Sequence, residues 1–82
     1  MMEGKSRSIF AQRLRETRRA KGWSQEKFSE LLDVNFMTVV FYETDRRLPK
    51  IDRLVEIAKL LEVSTDWLLG LDARPNMIDN TI

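Results

Sequence analysis

Between Ser24 and Pro49 the chain runs SQEKFSELLDVNFMTVVFYETDRRLP, and its spacing admits few folds. Ser24 is a good N-cap, because its hydroxyl can accept from an unpaired first-turn N–H; Lys27 stands where a capping box would hold Glu. Phe28, Leu31 and Leu32 repeat at i, i+3 and i+4, the apolar stripe of an amphipathic helix. Asp33 and Val34 interrupt it. Asn35 offers a second N-cap, and Phe36 to Glu43 supplies a second helix of about two turns. Two helices separated by so few residues must cross steeply. Arg46, Arg47 and Lys50 then surround Pro49, which marks a positively charged loop.

Eighty-two residues suit one small domain, near the size where a single core barely suffices. Ile9 to about Lys21 reads as a helix, with Phe10, Leu14 and Thr17 on one side. Gly22 ends it by supplying a left-handed residue, and Trp23 is expected in the core. Asp33 falls in the turn between the two motif helices, and Asp tolerates a left-handed backbone there better than most residues. Beyond the basic loop, Asp52 and Glu56 favour the start of a fourth helix that buries Leu54, Val55, Ile57, Ala58 and Leu61. Val63-Ser64-Thr65-Asp66 caps a fifth, running through about Leu69 and stopped by Gly70. The expected organisation is a flexible arm over 1–8, an all-α domain of five helices over 9–70, and a tail over 71–82.

There is neither histidine nor cysteine. That removes the commonest general base, the thiol nucleophile and the ordinary zinc ligands together. The carboxylates are scattered among basic neighbours and no glycine-rich phosphate loop exists, so neither an enzyme nor a cofactor or metal is expected. With no membrane-length apolar run and no signal peptide, a cytoplasmic location is expected. Net charge is only +1, yet residues 1–50 carry 11 basic and 7 acidic side chains (+4) and residues 51–82 carry 3 and 6 (−3). A basic front and an acidic back suit a protein that turns one face to a polyanion.

In Ser24-Gln25-Glu26, Ser29, Leu32-Asp33-Val34, Thr38-Val39, Tyr42-Glu43 and Arg46-Arg47-Leu48-Pro49 the chain resembles the phage repressor and Cro-type helix-turn-helix family, the XRE or lambda-repressor-like group. The likeness extends outward through Phe10–Arg15 and Lys21-Gly22-Trp23, and downstream through Leu54, Ile57-Ala58-Lys59, Leu61, Val63-Ser64 and Leu68-Leu69-Gly70, in register from about 9 to 70. It implies a compact lambda-repressor-like fold and double-stranded DNA as partner. The base-reading positions would be Asn35, Phe36, Met37, Thr38, Val40 and Phe41. Phosphates would be held by Gln25, Arg18, Arg46, Arg47 and Lys50, with Arg18 paired to Glu43. A homodimer on an inverted-repeat operator is implied; Trp67, Leu68 and Leu71, with Met77 and Ile78 in the tail, are its expected surface, the alternative being that Trp67 and Leu68 close the core of the monomer.

One departure from that family alters the expectation. At about 100° per residue, Asn35, Thr38, Val39 and Tyr42 share one side of the second motif helix; Phe36, Met37, Val40 and Phe41 share the other. The latter side is the one meant for the groove, and apolar patches of this kind mark interfaces. Three readings stand open: thymine-methyl contacts in T-rich half-sites, a surface for a protein partner, or burial inside the domain or a swapped copy.

Overall fold

A computed structural model of the chain describes residues 2–75, with side chains from Ile9 onward. Five helices follow one another: α1 (Met2–Ala20), α2 (Gln25–Leu32), α3 (Phe36–Glu43), α4 (Ile51–Leu61) and α5 (Thr65–Leu68). No strand occurs among the described residues. Helix α1 packs against α3 and α5, α2 against α3 and α4, and α4 against α5. The core lies where these meet: Phe10 and Leu14 from α1, Phe28 and Leu32 from α2, Val39 and Tyr42 from α3. Ile57, Ala58 and Leu61 from α4, Val63, and Leu68 from α5 complete it.

Helix starts follow the expected chemistry. Ser24 Oγ accepts from Lys27 N–H at 2.9 Å, Asn35 Oδ1 from Met37 N–H at 2.8 Å, and Ser64 Oγ from Trp67 N–H at 3.0 Å. Helix ends are less conventional. Asp33, Asp45 and Glu62 all take left-handed backbones, with φ of 62°, 67° and 63°. Asp33 and Glu62 close α2 and α4 by donating their N–H groups to the last turn. At Gly70 (φ 83°) glycine answers a second demand: a Cβ there would lie 3.0 Å from Ile9 Cγ2.

Four expectations need correction. Residues 2–8, expected as an arm, continue α1 in the structure. Gly4 is the one poor helix former in that stretch, and extending an anchored helix is far easier than nucleating one. Val55, assigned to the core face of α4, is 38 % exposed. Trp23 is only half-buried; it stacks on Phe28 at 6.1 Å along the edge of the core. Leu68 is fully enclosed within its own domain and offers no surface to a partner, while Trp67 is half-buried under the Arg13 guanidinium, 4.7 Å from its ring. Of the other proposed interface residues, Leu71 is exposed; Met77 and Ile78 lie outside the described residues.

Candidate nucleic-acid interface

Helix α3 is held from behind and below. Val39 and Tyr42 drop into the core, and Tyr42 meets Phe10 edge-on at 6.4 Å between ring centroids. Burial pushes the Tyr42 phenol above its ordinary pKa, with the charges of Arg53 and Arg47 opposing the rise.

The final residue of α3, Glu43, is buried and gathers polar side chains from two other helices. Arg18 grips its carboxylate with both edges of the guanidinium, Nε to Oε2 at 2.6 Å and a terminal nitrogen to Oε1 at 3.1 Å. Gln25, the first residue of α2, donates its amide to Oε1 at 3.0 Å. Arg15 donates to the Glu43 carbonyl at 2.7 Å, satisfying a backbone acceptor in the last turn of α3. A carboxylate removed from water is tolerable when its lone pairs are filled in this way. The arrangement fixes where α3 ends relative to α1 and α2.

The expected Arg18–Glu43 pair is therefore present, but Arg18 is spent in it. The residue is 6 % exposed, and its remaining terminal nitrogen donates to the Trp23 carbonyl at 2.6 Å. Arg18 positions α3 and is not available to a phosphate. Arg15 carries a role that sequence reasoning does not assign to it. The available signal is its place three residues before Arg18, which puts both on one face of α1.

The outward side of α3 carries the apolar group expected from the helical wheel. Phe36 is 40 % and Met37 45 % exposed. Val40 and Phe41 are half-buried, and the Arg47 guanidinium lies 5.3 Å from the centroid of the Phe41 ring. Burial of this face within its own domain, one of the three readings, is overturned for Phe36 and Met37. Asn35 and Thr38 stand at the N-terminal end of α3, with Asn35 exposed and Thr38 half-buried. Since Asn35 uses Oδ1 as the cap, its amide N–H groups stay free to donate.

Beyond α3 the chain turns back. The N–H groups of Arg46 and Arg47 both bond the Phe41 carbonyl, at 2.9 and 3.3 Å. The loop this forms exposes Arg46, Arg47 and Lys50. Within the described residues, none of the three enters an ion pair. The outward side of α3 and this exposed basic loop meet at Phe41, whose ring the Arg47 guanidinium covers.

Two packed helices joined by the short turn Asp33-Val34-Asn35, the second anchored through Glu43 and followed by a basic loop, define a helix-turn-helix domain. The chain belongs to the XRE-type helix-turn-helix family of transcriptional regulators, and the helix-turn-helix family HTH_3 matches residues 14–68. It is 39 % identical over 63 residues to the HTH-type transcriptional regulator ImmR of Bacillus subtilis (strain 168), covering 77 % of this chain and 50 % of ImmR. Identity is 34 % over 68 residues to YobD of the same organism, named an HTH-type transcriptional regulator, covering 83 % of this chain and 61 % of YobD. With the SPbeta prophage-derived HTH-type transcriptional regulator YonR it is 33 % over 61 residues, covering 74 % of this chain and 56 % of YonR. The chain thus spans between half and about three-fifths of the length of these curated relatives. Among solved structures, a hypothetical transcription factor, NHTF, from Neisseria superposes with a TM-score of 0.71 at 28 % identity, covering 77 % of this chain and 72 % of that one.

Proposed function

We propose that this chain is the operator-reading domain of a phage- or prophage-type repressor that binds an inverted repeat as a dimer. The observation that carries the reading is the pairing of a rigidly mounted α3 with a basic loop whose cations have no ion-pair partners within the described residues. In a major groove, α3 would present Asn35 and Thr38 as polar contacts. Phe36, Met37, Val40 and Phe41 would then lie against thymine methyl groups. Arg46, Arg47 and Lys50 would hold flanking phosphates, and the second N–H of the Gln25 amide would reach another at the start of α2. The likeness to a prophage-derived regulator supports the phage-type reading.

Selection of bound sequences from a random duplex library, at near-physiological salt, tests this directly. The expected product is an inverted repeat with T-rich half-sites. Recovery of no consensus from folded protein would overturn it. That result would favour a second reading, in which the exposure of Phe36 and Met37 serves a protein partner in place of DNA.

A further inference from the structure

Between the end of α3, the basic loop and the first turn of α4 lies a cavity of about 470 Å³. Tyr42, Arg47, Leu48, Lys50, Asp52 and Arg53 line it. Three of these are cations and one is an acid. Asp52 is the opposing carboxylate, and its Oδ1 already accepts from the Arg53 backbone N–H at 2.9 Å. Arg53 uses one terminal nitrogen on the Leu32 carbonyl and on Glu56, which leaves its other side-chain N–H groups to donate. A cavity of this volume suits a small organic molecule, and the balance of charge selects an anion.

Two further features point to the same ligand. No side chain caps the start of α4. The Ile51 and Asp52 N–H groups have no acceptor within the described residues. Such groups, at the positive end of an 11-residue helix, favour a negative charge. The second feature is Tyr42, only 5 % exposed, whose hydroxyl makes no hydrogen bond within the described residues. The charges of Arg53 and Arg47 both act on this phenol, which places its oxygen at the cavity rather than among the core side chains. A buried donor set between cations lacks an acceptor, and an anion held there supplies one.

We propose that this cavity binds the terminal phosphate of a small organic phosphate monoester, with Arg47, Lys50, Arg53 and the Tyr42 hydroxyl as donors. Depth separates this ligand from a phosphate of DNA. A DNA phosphate is a diester, joined to sugar on two sides and singly charged, so it rests at the rim. A monoester phosphate carries a charge of about −1.5 to −2 at neutral pH. Being tied on one side only, it reaches down to Tyr42 while Leu48 offers its organic part an apolar wall. The inference rests on the operator reading for its consequence alone: Arg47 and Lys50 serve both, so a monoester in the cavity withdraws them from the duplex.

Nitrogen-15 amide spectra of the full 82-residue chain test the site without DNA, at constant ionic strength. Glucose 6-phosphate should shift the Ile51 and Asp52 amides to saturation, and dimethyl phosphate should bind at least tenfold more weakly. Lys50→Ala and Tyr42→Phe should each weaken the monoester about tenfold. Arg46→Ala removes a cation of the same loop that does not line the cavity, and should leave binding unchanged. Far-ultraviolet circular dichroism checks the fold of each variant. Amides that do not move, a diester bound as tightly as the monoester, or an equal loss in Arg46→Ala would each overturn the site. The duplex recovered by selection is then titrated with and without glucose 6-phosphate at matched ionic strength. A loss of affinity in wild type that is smaller in Tyr42→Phe is expected, and an undiminished affinity would overturn the regulation. A chain that binds the monoester but no duplex would remove the operator reading and leave the site standing.

Discussion

Glu43 is an ionisable group with little access to water, held there by three side chains from two helices. Removing the carboxylate would leave Arg18 charged, buried and unpaired. Glu43→Ala should therefore destabilise the domain by about 3–5 kcal/mol, enough to unfold much of a domain this size, and a thermal melt reads the loss. Tyr42 provides a sharper test, because it is the sole tyrosine and its phenolate absorbance reports on it alone. Its folded pKa is raised by burial. The stability it contributes is then fully present below the unfolded value near 10, and is lost as pH rises through the higher folded value. The titration midpoint should fall when denaturant is added, and Tyr42→Phe should remove that alkaline loss. A midpoint that does not move would place the phenol in water. Asp33 is held at φ 62° at the negative end of the α2 dipole. Asp33→Gly should raise stability by up to about 1 kcal/mol, seen as a shifted urea midpoint.

At the scale of elements, the basic loop and the apolar side of α3 can be tested separately. Replacing Arg46 and Arg47 together with Ala should weaken DNA binding about equally across sequences. The log–log salt slope should fall by about 1 for each phosphate that is no longer neutralised. An unchanged slope would remove the loop from the interface. Phe36→Gln sits at an exposed position, so it should alter the selected sequence while keeping the melting profile close to wild type. The elements themselves are legible in the sequence. Ser24, Asn35 and Ser64 cap helices by local side-chain chemistry, and of the stripe Phe28, Leu31 and Leu32 the first and last are buried while Leu31 is exposed at its edge. The inward turn of Arg18 is only half legible. Its pairing with Glu43 follows from the family pattern, but its burial depends on α1, α3 and Trp23 meeting in space. Arg15 escapes a sequence reading for the same reason: its acceptor is a backbone carbonyl 28 residues away.

Over the whole molecule, α1 acts as the frame to which the other helices are tied. Arg13 reaches the Trp67 and Asp72 carbonyls, Arg15 and Arg18 reach Glu43, and Lys21 pairs with Glu62 at the end of α4. Arg13→Ala should consequently raise amide exchange around residues 67–72 while the α2–α3 pair keeps its protection, a pattern that hydrogen-exchange mass spectrometry resolves. Loss of protection across all helices would show that the unit opens as one. The left-handed residues at the helix ends bear on the domain's future as much as on its present. Gly22 and Gly70 fill two such positions, but acidic side chains fill Asp33, Asp45 and Glu62. A glycine at Asp33 lies within a single-nucleotide change of either aspartate codon and returns stability without altering α3. A lineage that substitutes a costly side chain on α3 can recover at a helix end, so the domain carries room for evolutionary drift in what it recognises.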